Sequence, residues 1–402
     1  MAERTGTGGR PRRLSAVLRG EEERVKPLEL FFDLVFVLGF TQCTALMVEN
    51  PEWESLAQAM LILALLWWSW GGYAWLTSVV DPEEGAVRIA MIASMAGLLV
   101  VALTVPQAFG DRALAFALAY GVVRGGHIAL FLLASRDDPE LRHSVATLAA
   151  STAVGVGLLV GASALDGFAQ GAVWAVAIFL DYGGPAIYGV AGWRLVPAHF
   201  AERYGLVIIL ALGESIVALG AGAEADLSAG VIAAAALGVA LASALWWMYF
   251  DVVAHVTVRR LTEATPGREQ NSLARDSYSY LHYPMVAGIV LLALGLEETL
   301  AHVDEHLHDE TAFALLGGVA IYLLAHVALR LRNAGSLNVQ RFSLALLLFA
   351  LVPVAVEVDA LVTLAVVTVL IWLVIAYETR VYGEGRWRVR HGLLGQPETP
   401  QQ

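Results

Sequence analysis

Two carboxylates one helical turn apart are the first residues in this chain that could do chemistry. Glu29 and Asp33 sit in Pro27-Leu28-Glu29-Leu30-Phe31-Phe32-Asp33-Leu34-Val35-Phe36, where their neighbours are apolar. A spacing of four puts both on one face of a helix. Three more charges stand alone in apolar runs: Arg124, ahead of Gly125, Gly126 and His127; Asp181, beside Tyr182-Gly183-Gly184-Pro185; and Glu214, in Leu212-Gly213-Glu214-Ser215. His282 lies shallowly in a further run, just before Pro284. Ionisable groups inside a bilayer are expensive, and they face a bundle interior or a watery cavity. A polar core of Asp33, Arg124, Asp181, Glu214, His282 and Glu29 would let one carboxylate exchange protons or hold a cation while Arg124 neutralises another. The same residues also read as struts, with Arg124 paired to Asp181 or Glu214 and nothing moving. Glu29 is equally a helix-start carboxylate held by the N-terminal dipole. His127 and His326 read as core histidines with their partners satisfied.

The elements that position these groups are membrane helices. Of 402 residues 58% are hydrophobic and 15% charged, against about 25% charged in soluble domains. Apolar runs of about 20 residues recur, the length that crosses a hydrocarbon layer of about 30 Å. The ten-residue alternation of a membrane β-barrel is absent. The expected fold is all-α, a polytopic bundle of twelve spans: 28–47, 55–76, 88–106, 113–134, 144–164, 171–191, 204–222, 228–250, 279–297, 311–331, 340–357 and 360–379. Residues 1–26 read as a flexible basic tail; with two acids in the apolar stretch and no cleavage site, they are no signal peptide. Residues 383–402 form a second tail.

Residues 27–200 and 201–382 match as two six-helix repeats. Leu66-Trp67-Trp68 pairs with Leu245-Trp246-Trp247, Met95–Leu103 with Val286–Leu294, and Ala115-Phe116-Ala117-Leu118 with Ala312-Phe313-Ala314-Leu315; Glu29 corresponds to Glu202. The offset grows steadily along the chain, as loop insertions would make it. Six spans per repeat make the repeats parallel, an arrangement some transporters use. The fifth and sixth spans show no partner in the eleventh and twelfth.

With these spans every Lys and Arg except Arg112 and Arg124 falls on one side, and the opposite loops are acidic. The positive-inside rule makes the basic side cytoplasmic. The expected location is the inner (cytoplasmic) membrane, multi-pass, with both termini inside. Trp67, Trp68, Trp70, Trp75, Trp246 and Trp247 read as anchors at the inner interface. Cys43 is the single cysteine, so neither an internal disulfide nor a thiolate metal cluster can form. His302 and His306, one turn apart in an outer loop, lack a recognised ligand spacing. No Walker loop, HExxH, GxSxG or dinucleotide fingerprint occurs, so the chain reads as no enzyme, without cofactor and without a nucleic-acid partner. The expected partners are the lipid bilayer and a small solute or ion; the oligomeric state is not legible.

Three stretches, PLELFFDLVFVLGFTQ (Pro27–Gln42), ERYGLVIILALGESIVALG (Glu202–Gly220) and YSYLHYPMVAGIVLLALGLE (Tyr278–Glu297), resemble the bacterial low temperature requirement protein A family. The resemblance runs from residue 25 to about residue 382. It implies an integral membrane protein with no established activity or substrate, whose characteristic residues map to Glu29, Asp33, Glu202, Gly213, Glu214 and His282. The functional reading is a transport-like protein with a buried carboxylate/arginine site. The alternative is a sensor or scaffold linked to growth in the cold, its charges acting as struts, and a membrane-embedded enzyme acting on lipid comes third.

Overall fold

A computed structural model describes residues 24–390 except 84, 191 and 224–226. The described part of the chain is helical: α1 Pro27–Glu49, α2 Trp53–Thr77, α3 Gly85–Gln107, α4 Ala113–Ala134, α5 Pro139–Ala162, α6 Gly167–Tyr188, α7 Pro197–Gly222, α8 Ala229–Glu263, α9 Arg268–Ala301, α10 Asp309–Ala334, α11 Val339–Ala355, α12 Ala360–Val381 and α13 Gly383–Arg390. No strand occurs among the described residues, only an isolated bridge between His306 and Asp359.

Each apolar run became a helix, but among the described residues ten helices, not twelve, are both long and apolar enough to cross a membrane. The two that fall short are α11, with 17 residues, and α6, whose Gln170 and Asp181 lower its hydropathy. Three helices contain a π-helical turn, at Tyr249–Val253 in α8, Ala274–Tyr280 in α9 and Phe313–Gly317 in α10. Such turns are rare and mark functional sites more often than chance. Residues 1–23 and 391–402 lie outside the described residues. The tail expected from residue 383 begins instead as α13, which docks on the bundle where Arg386 reaches Asp251 of α8.

The helices pack in a repeated order. Among residues 27–200, α1 meets α2 and α3, α3 meets α4, α4 meets α5, α5 meets α6, and α2 touches α4 and α6. Among residues 201–382, α7 meets α8 and α9, α9 meets α10, α10 meets α11, α11 meets α12, and α8 touches α10 and α12. Between the two sets, α1 lies against α7 and α9. Helices α2, α9 and α10 are mostly buried inside protein, whereas α1, α3, α4, α5, α7, α8 and α12 bury less than half of their apolar windows. Their outward faces carry Phe31, Leu34, Val122 and Phe179, all more than half exposed. In water such a surface would be untenable; in lipid it is the expected one, so the bilayer is this molecule's environment.

Close backbone approach sets the central crossing. A Cβ on Gly288 of α9 would lie 2.5 Å from the Gly318 carbonyl oxygen of α10, and one on Gly318 would lie 2.6 Å from that of Gly288. Small residues let membrane helices touch backbone to backbone, where dispersion does the work that hydrophobic exclusion does in water. The tryptophans of α2 correct the interfacial reading. Trp67 and Trp70 are fully buried and Trp68 and Trp75 nearly so. Trp67 Nε1 donates to the Ser279 carbonyl at 2.7 Å and Trp75 Nε1 to Ser279 Oγ at 3.0 Å. They are the glue between α2 and the π-helical turn of α9 rather than a belt at the lipid surface.

Candidate buried charge sites

The six expected residues do not converge on one core. They fall into four separate clusters, each of which contains a partner that the sequence reading does not supply.

The first cluster joins α1 to α7. Glu29 and Asp33 do share a face, and His199 and Arg203 share one on α7 with the same spacing of four. His199 Nε2 lies 3.0 Å from Glu29 Oε1, and Arg203 Nη1 lies 3.6 Å from the same oxygen. Arg203 Nη2 donates to Asp33 Oδ1 and Nη1 to Thr77 Oγ1 at 2.7 Å. Trp70 Nε1 also donates to Asp33 Oδ1, at 2.8 Å, while its ring lies 5.5 Å from the guanidinium. All four charged side chains are fully buried. Glu29 is also the third residue of its helix and accepts the Lys26 backbone N–H at 2.9 Å, so the helix-start reading holds for its position. The helix dipole is not its only support: the carboxylate is sealed and paired. Arg203, counted in a loop, is a helix residue and a counter-ion.

The second cluster ties α4, α5 and α6 together. Arg124 Nη2 donates to Asp181 Oδ2 at 3.1 Å and to Thr152 Oγ1 at 2.9 Å, and Thr152 Oγ1 donates to Asp181 Oδ1 at 2.8 Å. The pair is sealed, with side chains 1% and 4% exposed. His127, one turn on, meets no side-chain partner, and the backbone of Gly72 is the polar group its ring interacts with, so the satisfied-histidine reading holds only in part. Beside it lies a cavity of about 40 Å³ between Gly72, Arg124, His127 and Trp193, room for a water molecule that would complete both side chains.

Glu214 forms the third cluster with α1. Thr41 Oγ1 donates to its Oε2 at 2.7 Å. The carboxylate is buried, and no basic residue among the described ones pairs with it. His282 forms the fourth. Its Nδ1 lies 2.8 Å from the Ser277 carbonyl, so Nδ1 carries the proton and Nε2 accepts from Tyr249 Oη at 2.8 Å. Tyr249 and Ser277 both come from π-helical turns, which supply the extra residue that brings them to the ring.

One charged cluster was missed altogether. Arg341 of α11 bonds Glu378 of α12 through Nε (2.9 Å) and Nη2 (2.8 Å), and Arg386 of α13 reaches the same carboxylate at 3.3 Å. The expected spans place Arg341 at the start of 340–357 and Glu378 at the end of 360–379, without pairing them. An arginine and an acid at the facing ends of two consecutive apolar runs were the available signal. Among the described residues no three of His, Cys, Asp and Glu gather as metal ligands; His302 and His306 instead stand near Glu298 and Asp359.

Comparison with known proteins agrees with the motifs. The model of the bacterial low temperature requirement A protein family matches residues 24–376. An uncharacterised protein of Rhizobium meliloti (strain 1021) is 28% identical over 367 residues, covering 87% of this chain and 88% of its own length. No solved structure matches. With the match running from the start of the first apolar helix into the last, this chain belongs to the low temperature requirement A family.

Proposed function

We propose that this is a transport-like protein of twelve spans, built as two six-helix repeats, in which Glu214 exchanges a proton or small cation where the repeats meet. The observation that carries this reading is the company Glu214 keeps. Among the described residues the other buried carboxylates, Glu29, Asp33, Asp81, Asp181 and Glu378, each have an arginine, lysine or histidine beside them. Glu214 has a threonine hydroxyl. A buried carboxylate without a counter-charge is sustained by carrying a proton or a bound cation, and gaining and losing it is the elementary act of coupling. Its position between α1 and α7 puts that act on the seam between the repeats.

The duplication rests on more than matched motifs. Each helix contact of the first set has a counterpart in the second, including those of the fifth and sixth helices, whose sequences do not align. Asp181 and Glu378 lie 197 residues apart, as do Ala115 and Ala312, and each carboxylate pairs with a buried arginine. Both termini are assigned to the cytoplasmic side of the inner membrane. Arg203 and Arg341 leave the charge count as buried counter-ions, and the remaining basic residues still favour that side. The reading assigns the protein no chemical step.

A sensor or scaffold is the second reading, and the sealed Arg124–Asp181 pair favours it: this pair holds three helices in register and leaves no path through them. Flux separates the two. In liposomes under an imposed proton or monovalent-cation gradient, the native protein should carry a current that Glu214→Gln abolishes and Thr152→Val retains. Background flux in all three would leave the scaffold.

A further inference from the structure

We propose that the second repeat holds an anionic ligand in a cavity at its arginine-rich end, with His326 as one of the groups that grip it. The cavity, of about 370 Å³, opens between α8, α10, α11, α12 and α13. That is within the range of small-molecule sites and about nine times the volume beside His127 in the first repeat.

The tautomer of His326 supplies the argument. Its Nδ1 lies 2.7 Å from Arg341 Nη1. A guanidinium has only donors, so Nδ1 must accept and the ring proton sits on Nε2. That N–H is buried in a side chain 2% exposed, on the wall of the cavity, and no protein acceptor meets it. A buried donor left unmade costs about 1–3 kcal/mol, so a small displacement of the ring toward the cavity that brought this N–H to an oxygen of whatever fills the space would be favoured.

Charge says which kind. Arg330, Arg341 and Arg386 line the cavity against the single carboxylate Glu378. Arg341 and Arg386 are partly neutralised by Glu378 and Asp251, whereas Arg330 bonds only the Ser336 hydroxyl through Nε and keeps its terminal nitrogens for a ligand. The rest of the wall is largely apolar, with Val252, Val256, Leu329 and Val389. Donors and positive charge at one point with hydrocarbon around them suit a phosphate or carboxylate carried on an apolar body, and basic pockets between helices at the cytoplasmic face are where anionic lipid headgroups settle. The corresponding space in the first repeat is filled by Trp68, Trp75 and Trp193, so only one of the two repeats would carry the ligand.

Full-length protein in nanodiscs tests this without any transport assay. Thermal unfolding is followed in phosphatidylcholine, in phosphatidylcholine doped with phosphatidylglycerol, and in phosphatidylcholine with added inorganic phosphate. The native protein should unfold at a higher temperature with one of the two anions, and which one identifies the source as lipid or soluble. Arg330→Gln, an exposed residue outside the buried pairs, should weaken the apparent affinity tenfold or more, and His326→Phe, which keeps the ring packed on Tyr322, should do the same. Native mass spectrometry should count one bound phosphatidylglycerol fewer per variant chain if lipid is the source. No shift with either anion, or an equal shift in the native protein and both folded variants, overturns the proposal.

Discussion

At the scale of the residue, buried charge in this bundle comes in two kinds, and the two should respond oppositely to the same chemical edit. Asp33 is paired with Arg203 and accepts from Trp70. Converting it to Asn removes the charge and leaves Arg203 with less compensation in a dry interior. Breaking a buried pair in this way costs about 3–5 kcal/mol, so Asp33→Asn should lower the unfolding midpoint in detergent by many degrees. Glu214→Gln keeps the shape and the Thr41 contact and strands no cation. It should change stability by less than about 1 kcal/mol, well below the cost of breaking a buried pair, while removing any coupled flux. If the two amides destabilise equally, the distinction between paired and unpaired carboxylates fails. What the sequence exposed at this scale was the list of charges, not their partners. Glu29 and Asp33 announced a face, yet their counter-ions lay 170 residues away on α7. The matching spacing of His199 and Arg203 was visible in principle. It was hidden because the apolar run was read as starting at residue 204, whereas α7 begins at Pro197, with proline in the first turn where its missing N–H is harmless.

At the scale of the element, hydrophobic length fixed nearly every helix, because a bilayer leaves the backbone no other way to satisfy its polar groups. The π-helical turns were illegible: nothing in Tyr249–Val253 or Ala274–Tyr280 differs in composition from an α-helix, and the extra residue is paid back only in tertiary contacts such as Tyr249–His282. Glycine spacing was similarly silent about which glycines matter. Gly288→Ala should force α9 and α10 apart, since its Cβ would meet the Gly318 carbonyl rather than a movable side chain; overpacking of that kind costs about 1–3 kcal/mol. Gly213→Ala, where nothing lies within 4 Å of the new Cβ, should stabilise α7 by about 0.5–1 kcal/mol through helix propensity alone. Thermal unfolding of the two variants side by side checks both signs.

At the scale of the whole molecule, orientation is testable with the one cysteine already present. Cys43 is fully buried, so the native chain should react little with a membrane-impermeant maleimide. His306→Cys, in an exposed acidic loop, should be labelled from outside on intact spheroplasts, and Leu337→Cys, exposed at the arginine-rich end, only after the membrane is opened. The reverse pattern would invert the bundle. The cluster between α1 and α7 also has a consequence for how the molecule is made. Glu29 and Asp33 leave the ribosome first, and the residues that neutralise them follow 170 positions later. At about 5–20 residues per second the interval is roughly ten to thirty seconds. Throughout that time the first helix carries two acids that lipid rejects, so it can settle only provisionally, sheltered at the insertion machinery or held near the surface. Assembly of this protein is therefore gated by the arrival of its seventh helix, and a chain truncated before residue 203 should be one the cell degrades.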